Sequence, residues 1–403
     1  MLLTRCRLGA MSARVSVGAV VVPVLVALVG AGAAASKARP QCMHNPWRNL
    51  VLVSARTGAV DRSFPDADDN VDAVVSDGQG GWFVSGIFEC VGTAHVPGLV
   101  HLHSTGTLDH GWHAALPADT QDLNGYATAT MLTRAGHTLY AGGTFAVEAL
   151  NASTGAQEWL APVSYTGVGV DGAQGVDALA ANSQAVYLGG GFTAVDGTPR
   201  ESAAALDPAT GKLLAWQAPT LSDRTSSAAA VEALALDRSH LFIGGNSIAT
   251  VGGQPRPAIA ALDAGTGQLT PWVVSTARGY APGYGVGDVE TIVVAHPQLL
   301  TAGHDGFGAI DATTGKIETW MYRIHGSGYR FATYGDIAYL GGNIRNGFDA
   351  VAGKKRNNLA AIDLTTNRFT SWAPKIDRYV AVASMGASRG QVLIAGSFSK
   401  TLG

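Results

Sequence analysis

The stretch ALDPATGKLLAW (205–216) returns as ALDAGTGQLTPW (261–272), AIDATTGKIETW (309–320) and AIDLTTNRFTSW (361–372). Self-similarity at a fixed period dictates the fold before any local reading does. The turn glycine of this stretch recurs at Gly58, Gly106, Gly155, Gly211, Gly267 and Gly315, with Asn367 in the same place of the last copy, at intervals of 48 to 56 residues. Asn is the natural substitute, because it tolerates the left-handed backbone that such a turn requires. An aromatic follows every turn: Phe64, Trp112, Trp159, Trp216, Trp272, Trp320 and Trp372. A large ring in the same place of each repeat fills the space between neighbouring sheets.

Two further signatures precede each turn. WFVSGIF, LYAGGTF, VYLGGGF, LFIGGNS, LLTAGHD, AYLGGNI and VLIAGSF are short apolar strands whose small residues permit close backbone approach. Upstream of them lie VDAVV, ATATM, VDALA, VEALA, VETIV, RFATY and VAVAS. Each repeat thus offers four strands, a (VDALAA), b (VYLGGGF), c (AAALD) and d (LLAW), and the expectation is an all-β, seven-bladed β-propeller of four-stranded blades.

The termini fit closure. The chain stops at AGSFSKTLG, which supplies only strands a and b of the last blade, while NPWRNLVLVSARTG (45–58) matches TPRESAAALDPATG (198–211) and supplies c and d. The last blade is therefore closed by N-terminal strands, which removes the open edges that invite aggregation. An open β-solenoid also repeats, but it needs no complementary half-repeats at its ends.

Length and composition agree. The chain has 403 residues, 52 of them Gly, and only 14% are charged, which suits many short strands and tight turns. A net charge of −3 gives no sign of a nucleic-acid partner. Arg5, Arg7 and Arg14 precede the apolar run VGAVVVPVLVALVGAGAAA (17–35), which ends in small residues. That pattern predicts a secretory signal peptide over 1–35, a lead-in over 36–47 and a propeller over 48–403. The alternative is an uncleaved anchor; after cleavage no membrane span is expected. Cys6 falls in the signal, leaving Cys42 and Cys90 as a pair on the same face of adjacent blades, where an exported chain is expected to join them. RPQ before Cys42 lacks the small apolar residues of a lipidation site.

LGGGFTAVDGTPRESAAALDPATG and IGGNSIATVGGQPRPAIAALDAGTG resemble the repeats of the delta-60 repeat propellers, a secreted bacterial family, over about residues 48–403. TGTLDHGW and TGAVDRSF are its second spelling, whereas GGTFAVEALNASTG and AGHDGFGAIDATTG lack most of the b to c loop. The resemblance implies the fold and no particular activity. ALDPATGKLLAW is also similar to the docking motif of quinoprotein dehydrogenases, which place the Trp four residues after the Gly; here only STGAQEW does so, and adjacent cysteines are absent.

Propeller geometry puts the a to b and c to d turns on one face and the longer b to c and d to a loops on the other. Long loops on a rigid scaffold are where binding resides. The d to a loops carry Tyr165, Arg278, Tyr280, Tyr284, Arg323, His325 and Tyr329, aromatics and cations suited to glycan or peptide contacts or to packing the loops together. Asp72, Asp177, Glu232 and Glu290 begin inner strands at the channel mouth, where they suit a cation, acid–base work, or plain solvation. DADDNVD (66–72) alternates oxygens like a calcium loop but has Val71 where Gly is needed. His101, His103, His110 and His113 lack the partners of a zinc site.

The reading is a secreted, non-enzymatic, monomeric propeller that presents its loop-rich face to an extracellular glycan or envelope protein, with no cofactor and no metal. The alternatives are an enzyme using the channel-mouth carboxylates and a quinoprotein-like dehydrogenase.

Overall fold

The computed structural model describes residues 42, 47–114, 129–144, 146–165, 175–225, 227–245, 247–275, 289–303, 306–318, 322–323, 326–344, 358–376 and 381–399. The segment 1–35, read from the sequence as a signal peptide, lies outside them. Residues 40–403 form one compact unit. Among the described residues there is no helix, and every strand pairing is antiparallel.

Blade 1 holds Val71–Ser76, Trp82–Gly86 and Leu99–Leu102, and blade 2 holds Met131–Ala135, Thr138–Gly142, Ala146–Asn151 and Gln157–Ser164. Blade 3 has Val176–Ala181, Val186–Gly190 and Ala203–Leu206, and blade 4 has Ala233–Leu236, His240–Gly244 and Ile259–Asp263. Thr291–Ala295, Gln298–Gly303, Gly306–Asp311 and Tyr322–Arg323 make blade 5; Gly326–Tyr334, Ile337–Ile344, Leu359–Asp363 and Arg368–Phe369 make blade 6. In the closing blade, Ala381–Ser388 and Gln391–Ser399 are completed by Trp47–Ser54 and Val60–Asp61. Leu50 stands opposite Ala395 and Val53 opposite Val392, so the chain ends interlock as the half-repeats predict. The a strands neighbour one another in chain order, and the closing a strand neighbours the first again.

The repeated turn is held by side-chain chemistry. Asp207 Oδ1 accepts the N–H groups of Ala209 and Thr210 and the Thr210 hydroxyl, and Asp263, Asp311 and Asp363 each accept N–H groups of their own turns. Gly211 then takes φ 68°, while Asn367 takes φ 55°. A Cβ at Gly211 would also strike the Trp159 ring of the preceding blade. Glycine and aromatic therefore recur together because each blade's turn lies under its neighbour's ring. Trp112, Trp159, Trp216, Trp272, Trp372 and Phe64 are all buried; Trp320 lies outside the described residues.

Strand d departs from the expectation. In blades 3 and 4 it shrinks to one bridge, Leu206 to Leu213 and Leu262 to Leu269. There the Trp follows the Gly by five residues, and the chain leaves the sheet to drop the ring between blades. In blade 2 the spacing is four, and Gln157–Ser164 stays an eight-residue strand with one register shift beside Trp159. The b to c loops differ too: Ala194–Val195 with Thr198–Pro199, and Thr250–Val251 with Gln254–Pro255, are small hairpins. The first pairs with strand d of blade 2 through Val163 and Val195, the second with Leu221–Ser222. Much of this loop length laces blades together.

Cys42 and Cys90 form the expected disulfide, with Cα atoms 5.6 Å apart. Such a bond fits an oxidising, extracellular or periplasmic setting. Among the described residues no helix is long and apolar enough to cross a membrane.

Candidate functional site

The inner strands are not regular at their starts. The pairing register shifts between Val71 and Ala73 and between Val176 and Ala178, so Asp72 and Asp177 each occupy a bulge. A bulged residue escapes the ladder, and its side chain is re-aimed. The bulge arises where the glycine of strand b meets the loop before strand a: a Cβ at Gly190 would strike the Gly175 carbonyl, and one at Gly86 the Asn70 carbonyl. Glu232 and Glu290 sit one residue before Ala233 and Thr291, donating their N–H groups to Gly244 and Ala302.

Asp72, Asp177, Glu232 and Glu290 line a single central cavity of about 490 Å³, together with Arg330 and Ser384. Burial raises the Asp72 carboxyl to about 6, with the Asp69 charge adding to the effect. Burial likewise lifts Asp177 to about 7, against one hydrogen bond from the Gly191 N–H, and its Oδ2 is buried with no hydrogen-bond partner. Arg330 Nε donates to the Ala383 carbonyl at 2.9 Å and Nη1 to Thr291 Oγ1 at 3.4 Å. Burial lowers the Arg330 guanidinium, and the Glu290 charge opposes that. The cavity wall thus combines one fixed cation, hydrogen-bond acceptors, and carboxyls able to hold a proton near neutral pH.

The aromatic and cationic loop residues are less fully placed. Tyr165 is half-buried just after strand d of blade 2. Arg323 ends the short Tyr322–Arg323 strand and Tyr329 lies within Gly326–Tyr334. Arg278, Tyr280, Tyr284 and His325 lie outside the described residues. Arg330 was not anticipated as a site residue; a register shift between Ser327 and Arg330 in the inner strand of blade 6 precedes it, and it lines the channel.

The other acidic and histidine clusters are structural. Asp66 Oδ1 accepts the N–H groups of Asn49 and Leu50, and Asp68 Oδ1 those of Glu89 and Cys90, so DADDNVD ties the closing strand to blade 1. His101 bridges Asp109, at 2.9 Å, and Asp77, at 3.2 Å, while stacking on Phe83. Among the described residues no group of three or more His, Cys, Asp or Glu is placed to hold a metal.

Taken together, the blades and the ring of inner strands define the chain as a β-propeller. Residues 112–288 match the family described as outer membrane protein assembly factor BamB, a likeness over less than half of the chain. No curated protein matches it. The computationally designed Ika8 protein is similar at 14% identity and TM-score 0.47, over 87% of this chain and 99% of that one. Saccharomyces cerevisiae Sqt1 gives 11% and 0.48, over 88% and 98%. PorZ, a surface component of the type-IX secretion system of Porphyromonas gingivalis, gives 12% and 0.47, over 87% of this chain and 37% of its own. The quinoprotein resemblance meets a chemical obstacle: a quinone cofactor bearing several carboxylates does not fit a wall on which four carboxyls accompany one arginine.

Proposed function

We propose that this chain is a secreted, monomeric binding propeller of seven blades, akin to the delta-60 repeat proteins, that takes an extracellular glycan at the mouth of its central cavity. The observation that carries this reading is the convergence of Asp72, Asp177, Glu232 and Glu290 on one cavity of about 490 Å³. The d to a loops that lead into these strand starts carry Tyr165, Arg323 and Tyr329 and, outside the described residues, Arg278, Tyr280, Tyr284 and His325; on this reading those side chains supply the remaining contacts. Ionised carboxyls accept sugar hydroxyls, a protonated Asp177 donates one, and tyrosine rings cover the apolar sugar faces. An envelope protein presenting hydroxyls or a basic segment is the other ligand compatible with this wall.

A glycan array followed by titration of the best oligosaccharide tests the reading. Combining Asp177→Asn with Glu232→Gln is expected to weaken binding at least about tenfold, and Tyr280→Ala with Tyr284→Ala to weaken it less. Binding untouched by the carboxyl pair would remove the site from the channel. The raised carboxyl of Asp177 favours one alternative, acid–base catalysis; release of a cleaved product that stops with Asp177→Asn would establish it.

A further inference from the structure

The short-turn face is stitched from blade to blade by buried hydrogen bonds. Trp112 Nε1 donates to the Ala152 carbonyl of the next blade at 3.2 Å, Trp159 Nε1 to Pro208 at 2.9 Å, and Trp372 Nε1 to Ser54 at 2.9 Å. Trp216 Nε1 is buried without a partner, but at its junction the Tyr187 hydroxyl donates to Ala264 at 2.6 Å, as the Tyr339 hydroxyl does to Ala55 at 2.9 Å beside Trp372.

Between blades 4 and 5 the pattern fails. Strand b of blade 4 carries Phe242 in place of that tyrosine, and Trp272 Nε1 is buried without a partner. A cavity of about 550 Å³ opens at this junction, lined by the Asp237–His240 turn, Thr270–Val273, His296 and the Ala312–Thr314 turn of blade 5.

Its lining sets one guanidinium and two imidazoles against a single acid. Asp237 is the sole acid among the lining residues, and both its oxygens are already engaged: Oδ1 by the N–H groups of Ser239 and His240, Oδ2 by His240 Nδ1 at 3.3 Å. That contact fixes the His240 ring and leaves Nε2 as its other polar atom. Arg238 and His296 are exposed on turns at the same rim. Beside them lie the exposed Pro271 and Val273, the latter 43% exposed, and the buried Trp272 ring.

From this arrangement we propose that the junction of blades 4 and 5 is a second binding site, specific for a small organic carboxylate. The guanidinium of Arg238 accepts the carboxylate as a two-pronged partner, with the imidazoles of His240 and His296 supplying further N–H contacts. The aliphatic or ring body of the ligand covers Pro271 and Val273, which an inorganic anion would leave bare. This site lies on the opposite face from the channel mouth and does not depend on how that mouth is used.

Calorimetric titration of the full mature chain with glucuronate, hexanoate and inorganic phosphate tests the assignment. Both carboxylates are expected to bind with Kd of about 1 mM, to compete with one another, and to exceed phosphate at least about tenfold. Arg238→Ala and His240→Gln should each weaken hexanoate at least about fivefold; Arg238→Ala should do so with an unchanged melting transition, since an exposed turn side chain contributes little to stability. Asp177→Asn should leave the hexanoate titration as it is, since hexanoate has no hydroxyls for the channel wall. Absence of carboxylate binding, phosphate binding of equal strength, or hexanoate binding indifferent to Arg238 would each overturn the proposal.

Discussion

The aspartates of the short turns and those that begin the inner strands are the same chemical group in opposite settings. Hydrogen bonds from Thr210, first its hydroxyl and then its N–H, hold the Asp207 carboxyl below its ordinary value, and the N–H of Thr314 does the same for Asp311. Burial raises Asp72 and Asp177 to about 6 and 7. In the turns one oxygen of each carboxylate, Oδ1, accepts the local N–H groups and shapes the backbone. At the bulges the ladder has been interrupted and Asp177 Oδ2 has no partner within the protein. Acids bonded within their own turns belong to the scaffold, and the buried acid with an oxygen left without a partner is the one on which the proposed ligand site rests.

The two settings also titrate with opposite sign. A carboxyl lowered in the folded chain contributes stability above its unfolded value, and that contribution is lost as pH falls through the folded one. A raised carboxyl is protonated in the folded chain where the unfolded chain is already ionised, so it opposes folding increasingly as pH climbs from about 4 through 7. Turn acids therefore matter in acid, and channel acids near neutrality.

The contrast exists only while the ring is closed, and the largest effect is expected from opening it. Deleting residues 380–403 strips Trp47–Ser54 of its partner strand and exposes long sheet edges. The product should aggregate or lose cooperative unfolding in a calorimetric scan. A soluble truncation with an unchanged transition would mean that the blades stand without closure.

Next in size is Asp177→Asn, which removes the ionisable group and keeps its shape. Because Asp177 is half-buried at a solvent-accessible cavity, the gain at pH 8 is set at ~2 kcal/mol, below the value implied by a carboxyl lifted from 3.8 to about 7. The variant's stability should fall less between pH 4 and 8 than that of the unaltered chain. Parallel denaturation curves across that range would show that the carboxyl is better solvated than its surroundings indicate.

The difference between the two settings explains what the sequence revealed. The turns are shaped locally, Asp and Thr making the hydrogen bonds that bend the backbone, so their period, the ring-filling Trp and the interlocked ends were legible from spacing alone. The four channel carboxyls were legible as strand starts, because the same register places them alike in each blade. Their convergence with Arg330 depended on a cavity formed by strands far apart in the chain. The lacing of blades by the VDGTPR and VGGQPR hairpins was hidden for the same reason: these loops read as variable binding loops until their pairing with Val163 and Leu221 is seen. The acids of DADDNVD likewise looked free in sequence, since their backbone partners, Asn49, Leu50, Glu89 and Cys90, are some twenty residues away.

A smaller effect belongs to the turn acids themselves. Asp311→Ala deletes an acceptor for the N–H groups of Thr313 and Thr314 and for the Thr314 hydroxyl, at a site open to water. A loss of about 1 kcal/mol is expected in chemical denaturation at pH 7, with glycan binding unaltered. A larger fall in binding than in stability would show that the short turns reach the channel after all.

The smallest effect separates two reasons for an asparagine. Asn367 stands where the other copies have Gly, at φ 55°, and glycine there would relieve a backbone that L side chains tolerate poorly. Yet Asn367 Oδ1 also accepts the Gln298 Nε2 hydrogen bond at 2.9 Å, between blades 5 and 6, and Gln298 is buried with its Oε1 unpartnered. Asn367→Gly therefore exchanges relief of about 0.5 kcal/mol for a buried amide left without a partner, a loss of about 1 kcal/mol, so the net change should be slightly destabilising. Gln298→Met removes the amide that needs the partner, and on that background Asn367→Gly should become stabilising. A double-mutant cycle in denaturant reads the reversal directly. If the glycine stabilises equally on both backgrounds, the asparagine is only a tolerated turn residue and the interblade bond contributes nothing.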